Sequence, residues 1–362
     1  MKKLLIFILL PLFLNTLTLC VSADETEDYK SQIYSGIQKI ELPKEAYDLG
    51  IDYTDPESVL EVDHRSALNY IFSVVKSSIS APLKVLLVVL ALSLVSQIIT
   101  SLTDNPENYE VIMVIACFIS ISSTVINSIS NMTGAINSIQ GFMAAYVPIF
   151  ASIAIASGNI SGALSYNAIV LYTCEAATLF ATIILKPILI CIAVLSVTQA
   201  INSEMPDFAS SLRKSLVALI GLLMTIFTGV IGLHATVGRA TDGIGLRAGK
   251  YLVSSFVPIL GYTITQSYQT IKSSLSMIRS TIGVFGIIVT AVIFLLPIIS
   301  LWMYRCCFTL CEWTAALCQS KRIASLMKGL GDVYLLMSVI LLMYFIMLIV
   351  STGMLIALGG SV

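Results

Sequence analysis

"VIMVIACFISISSTVINSISNMTGAINSIQGFMAAYVPIFASIAIASGNISGALSYNAIVLYTC" runs from Val111 to Cys174 without a single Asp, Glu, Lys or Arg. About 20 apolar residues cross a bilayer as a helix, and backbone in lipid must be hydrogen-bonded within the protein. A run of 64 uncharged residues is a poor fit to a soluble core. The chain of 362 residues is 57% hydrophobic and 11% charged, with mean hydropathy +0.93. Val333 to Val362 is a second uncharged run. Together these predict an all-α polytopic membrane protein.

The first residues, "MKKLLIFILLPLFLNTLTLCVSADE", have Lys2 and Lys3, an apolar stretch, and then Val21-Ser22-Ala23 before acidic residues. That order predicts a signal peptide over 1–23, cleaved between Ala23 and Asp24. Leu19 argues against lipidation of Cys20, because a lipoprotein site wants a small residue there. Residues 24–80 then form a short polar, extracytoplasmic lead-in. Asp24 to Asp63 carries twelve acids and three lysines, about −9, against +6 from His64 onward. The lead-in has too few apolar residues for its own core. It reads as a solvated approach or as a docking segment for another extracytoplasmic protein.

The membrane domain, 81–362, divides into apolar segments near 83–103, 111–130, 142–158, 163–185, 187–203, 215–238, 251–271, 280–296, 298–318 and 333–357. The polar stretches "TDNPENYE", "NMTG", "SGNISG", "INSEMPDFASS" and "GRATDGIGLRAGK" are expected to separate most of them. The pattern is doubled. "GFMAAYVPIFAS" (141–152) resembles "KYLVSSFVPILG" (250–261), with Pro148 and Pro258 110 positions apart. "FATIILKPI" (180–188) shares five of nine residues with "TAVIFLLPI" (290–298) at the same offset, and Pro187 and Pro297 each follow the earlier proline by 39. "SLRKSLVALIGLLMTI" (211–226) matches "SLMKGLGDVYLLMSVI" (325–340) at an offset of 114. Three ordered matches predict an internal duplication of about 110 residues, with repeats near 111–210 and 221–324. Proline removes a helix hydrogen bond, so Pro148, Pro187, Pro258 and Pro297 are candidate helix breaks. If the segments after Pro187 and Pro297 span, there are ten crossings and parallel repeats. If they dip and return, there are eight and the repeats are inverted. The basic residues lean slightly towards ten.

No catalytic signature emerges. "GLRAGKY" (245–251) is one residue short of a phosphate-binding loop and has Tyr251 where a Ser or Thr would hold magnesium. Ser211-x-x-Lys214 and Ser325-x-x-Lys328 match a serine–lysine pattern, but they are repeat copies without accompanying motifs. His64 and His234 are the only histidines, which leaves little for a zinc or histidine-based site. Cys307, Cys311 and Cys318 share a helical stripe without a paired Cys-x-x-Cys and read as packing residues. No catalytic residue, metal or cofactor is assigned. Charges inside apolar segments are more telling. Lys186, beside Pro187, fits an interfacial anchor. Glu175, Arg305 and Glu312 are candidate intramembrane polar residues facing a bundle interior or aqueous cavity. Glu175 is a candidate partner for Arg305.

The signal, the acidic lead-in and the segments "AAYVPIFAS" (144–152), "RAGKYLVSSFVPILG" (247–261) and "SLSMIRSTIGVFGIIV" (274–289) resemble the stage III sporulation protein AE family over roughly residues 30–360. The resemblance implies an integral subunit of a channel or secretion-like complex joining mother cell and forespore. It would sit in the mother-cell membrane around the forespore and support late forespore gene expression. Implied partners are the other proteins of the stage III sporulation A operon, including an ATPase and ring-forming components, the forespore-side protein Q, and membrane lipid. No nucleic acid is expected. Repeats, broken helices and buried charges leave open a stand-alone permease of small molecules.

Overall fold

The computed structural model describes Ser35 and residues 64–102, 106–156, 160–202, 208–256 and 261–357. Ala23, Asp24, Pro258 and the signal region lie outside them. Every element described here is helical. In chain order they are α1 (His64–Ser78), α2 (Ser80–Leu102), α3 (Pro106–Ala156), α4 (Ile160–Leu179), a π-helical turn (Phe180–Leu185), α5 (Lys186–Ile201), α6 (Phe208–Phe256), α7 (Gly261–Leu317) and α8 (Lys321–Ala357). Six stretches are long and apolar enough to cross a membrane: Leu68–Leu102, Asn108–Ala156, Ala163–Ile201, Phe208–Val230, Leu275–Leu317 and Lys321–Gly353.

The count is thus six among the described residues, below the eight or ten expected from the segment pattern. Segments merge where a polar stretch or a proline does not end its helix. "NMTG", Asn131–Gly134, lies inside α3. The Thr133 hydroxyl donates to the carbonyls of Ile129 and Ser130, so its polarity is absorbed within the helix and no turn is needed. Residues 238–250 lie inside α6. Pro148 and Pro297 lie inside α3 and α7 without terminating them. In a bundle, neighbouring helices and local adjustment compensate for one missing backbone donor. The chain continues as helix past Pro187 as well. There the ladder widens to a π turn, and the Lys186 N–H donates to the carbonyl of Ala181.

α7 and α8 form an antiparallel hairpin along the core, and α3 packs against α2, α4, α7 and α8. The tight end of the hairpin is a Schellman turn. Ser320 N–H bonds the Ala315 carbonyl at 3.0 Å and Gln319 N–H bonds that of Ala316 at 3.0 Å, with Gln319 in the left-handed region at φ 57°. Several buried hydroxyls are satisfied by their own helices, as in Ser93 to Val89, Ser196 to Ile192, Thr290 to Gly286 and Thr352 to Leu348, whereas Ser96, Thr178 and Ser351 have no hydrogen-bond partner among the described residues. That back-bonding is how so serine- and threonine-rich a chain remains helical without water. Residues 64–80 of the lead-in join the packed unit: α1 lies against α7 and buries Tyr70 and Val74.

In the core, Tyr146 of α3 stacks between Phe142 and Phe150, at centroid distances of 5.3 and 5.5 Å. Its hydroxyl donates to the Ile282 carbonyl of α7 at 3.0 Å. Gly286, one turn along α7, leaves room for the ring; a Cβ there would overlap the Tyr146 phenol.

Candidate functional site: a charged triad and two polar cavities

Three helices bring charges together near Asp332 of α8. Arg213 of α6 donates to Asp332 Oδ2 at 2.5 Å, and Arg305 of α7 pairs with Asp332 Oδ1 at 3.5 Å. All three side chains are partly buried. Two guanidiniums on one carboxylate leave a net charge of +1, and Arg305 Nη1 is buried without a hydrogen bond among the described residues. Gly331 makes this packing possible, because a side chain there would strike Arg305 Nη1. A second charged contact lies ten residues back along α8, roughly 15 Å by helix rise. There Arg322 Nε meets Glu110 of α3 at 3.2 Å, and its Nη1 donates to the Ile201 carbonyl, near the end of α5, at 2.7 Å.

The expected pairing of Arg305 with Glu175 is therefore corrected. Asp332 takes Arg305, because α7 and α8 run side by side whereas Glu175 faces outward from α4. Glu175 instead accepts a hydrogen bond from Gln140 of α3. Glu312 is half-buried and has no ion pair among the described residues. Sequence reading missed Asp332, which stands at the edge of the uncharged run Val333–Val362. The expected repeat offered a signal: at its offset of 114, Asp332 stands opposite Ala218, a charge against an apolar residue. It also missed Arg279, which is 2% exposed in α7, with Nε and Nη1 lacking hydrogen bonds among the described residues.

Two cavities, each with polar groups in a mostly apolar lining, flank α3. One, of about 470 Å³, lies between α3 and α7 and is lined by Ser128, Ser130, Asn131, Ser138, Pro297 and Ser300, with apolar neighbours that include Ile293. The other, of about 490 Å³, lies between α3 and α4 and includes Gln140, Ala144, Asn167, Tyr172 and Glu175. A proline denies its bond to the carbonyl four residues earlier. For Pro297 that residue is Ile293, and for Pro148 it is Ala144; each lines one of the cavities. Four cysteines, Cys117, Cys174, Cys307 and Cys311, are buried, and Cys307 donates to the Pro82 carbonyl at 2.9 Å. Among the described residues, no group of three or more His, Cys, Asp and Glu is placed to hold a metal.

The family model for Stage III sporulation protein AE matches residues 57–359. The chain belongs to the stage III sporulation protein AE family. The curated Stage III sporulation protein AE of Bacillus subtilis (strain 168) is 25% identical over 199 residues, covering 54% of this chain and 50% of the relative. The chain thus spans about half the length of the curated relative it matches. No solved structure matches. The resemblance carried by "AAYVPIFAS" and "RAGKYLVSSFVPILG" is the family's, and six long apolar helices fit a multi-pass membrane member of this sporulation family.

Proposed function

We propose that this protein is a non-enzymatic, integral membrane subunit of the channel or secretion-like complex that joins mother cell and forespore and supports late forespore gene expression. The supporting observation is the family match across 57–359, which overlies all six apolar stretches. Its place would be the mother-cell membrane around the forespore, after removal of residues 1–23. Its partners would be the other stage III sporulation A-operon proteins, including the ATPase and ring-forming components, and the forespore-side protein Q. Removing the protein from a sporulating host should abolish a late forespore reporter. A tagged copy should restore the reporter and co-purify the ring components and the ATPase. A restored reporter without any such co-purification would reject the subunit reading.

The polar cavities on either side of α3 favour a second reading, a permease acting alone. Solute uptake by the purified protein in liposomes, without the ATPase or ring components, would support it.

A further inference from the structure

The cavity between α3 and α7 is lined by neutral hydroxyl and amide groups, with no carboxylate among its lining residues. Lys186, at the start of α5, is not itself a lining residue, but its Nζ donates to Ser130 Oγ of the cavity wall at 3.3 Å, which brings an ammonium within one hydroxyl of the cavity. No carboxylate lies within ion-pair distance of Lys186 among the described residues, and none is among the lining residues. An ammonium has three donors and one is used here. Ser130, as acceptor, keeps its own proton. The Asn131 amide and the Ser300 hydroxyl have no hydrogen-bond partner among the described residues, whereas Ser138 already donates to the Gly134 carbonyl and Ser128 accepts from Tyr334. The one backbone acceptor deprived of its usual donor is the Ile293 carbonyl, opposite Pro297.

A charged lysine inside an apolar stretch is costly, so a neutral hydroxyl is a thin counterpart for it. The π turn fixes this lysine in place, since its own N–H closes the widened ladder on Ala181. We propose that the cavity binds an oxyanion of the phosphate class, with Lys186 as the cation and Ser130, Asn131 and Ser300 as neutral donors. A tetrahedral oxyanion offers several acceptor oxygens to such a spread of donors, and lysine binds phosphate as a point charge. The oxyanion can be the headgroup of an anionic phospholipid, with a tail against exposed Leu296, or free phosphate.

The full chain is placed in nanodiscs of phosphatidylcholine with or without phosphatidylglycerol. Retained lipid is read by native mass spectrometry, and labelled inorganic phosphate by equilibrium binding. Selective retention of phosphatidylglycerol identifies the headgroup, and saturable phosphate binding in pure phosphatidylcholine identifies the free anion. In either arm Lys186→Met should weaken binding about tenfold, from loss of one charged hydrogen bond, while Lys186→Arg stays close to wild type. Lys328→Gln, on the exposed surface of α8, should bind as wild type. Asn131→Ala and Ser300→Ala should each weaken binding several-fold, which keeps the test decisive where Lys186→Met fails to fold. Binding in neither arm, or wild-type binding by folded Lys186→Met or by both neutral variants, overturns the site.

Discussion

Gly331 of α8 lies against the guanidinium of Arg305, and any side chain at 331 would occupy the space that Arg305 Nη1 fills. The obstruction is the far end of a long side chain, so Gly331→Ala should move Arg305 rather than unfold the bundle. Arg305 would leave Asp332, while Arg213 would keep its bond. We expect a loss of about 0.5–1 kcal/mol, the scale of one partly exposed ion pair. Complementation of sporulation should fall as far as with Arg305→Leu, at near-normal protein level. Normal sporulation by both variants would show that the contact is dispensable.

Asp332 serves two guanidiniums, so Asp332→Asn should be worse than loss of either arginine alone. Removing one member of a buried ion pair costs about 3–5 kcal/mol, and partial exposure here lowers that. A double-mutant cycle should find coupling between Asp332 and Arg213 larger than between Asp332 and Arg305, following 2.5 against 3.5 Å. Arg305→Leu combined with Glu175→Leu should be additive. Strong coupling in that last cycle would contradict the observed partners.

At Gly286, an added methyl group meets the Tyr146 ring, which is fully buried and tied to the Ile282 carbonyl. Gly286→Ala should destabilise by about 1–3 kcal/mol through overpacking. Tyr146→Phe removes the hydrogen bond alone and should cost about 1 kcal/mol. Adding Tyr146→Leu to Gly286→Ala should recover part of the loss, as read by thermal unfolding in detergent. A fully additive pair would mean that the clash is relieved elsewhere.

Pro187 follows a six-residue π turn. Pro187→Ala restores a backbone donor and should let the turn relax towards α-helix, rotating the residues before it relative to Lys186. Function should fall more than protein level. Pro297→Ala should have the smaller effect, because α7 is already continuously helical there. Equal sporulation by Pro187→Ala and wild type would remove the π turn from consideration.

The long uncharged stretch at 111–174 was enough to read a helical membrane protein, because hydropathy over that length admits few other structures. Helix ends were harder. "TDNPENYE" and "INSEMPDFASS" do separate helices, while "NMTG" does not, because a hydroxyl can bond back to its own helix when tertiary packing favours continuity. Arg305 and Glu175 could be singled out from sequence, but their partners could not. Pairing depends on which helices lie side by side, and hydropathy says nothing of that. Asp332 was hidden by its position at the edge of an apolar run.

α3 has 51 residues, and its uncharged part, 111–156, is about 69 Å long at the helical rise. A hydrocarbon layer of about 30 Å would take that length only at a tilt of about 64°, beyond the roughly 40° that membrane helices reach. Its outward residues divide the same way. Ile112, Ile115, Ile119 and Ile126 are exposed in the first half, whereas the second half presents Asn131, Ser138, Gly141, Ala144 and Ala145. Bulky aliphatic side chains suit acyl chains; small residues let another backbone approach closely. At any tilt that membrane helices reach, one hydrocarbon layer therefore covers only part of the uncharged length of α3, and the rest lies beyond it.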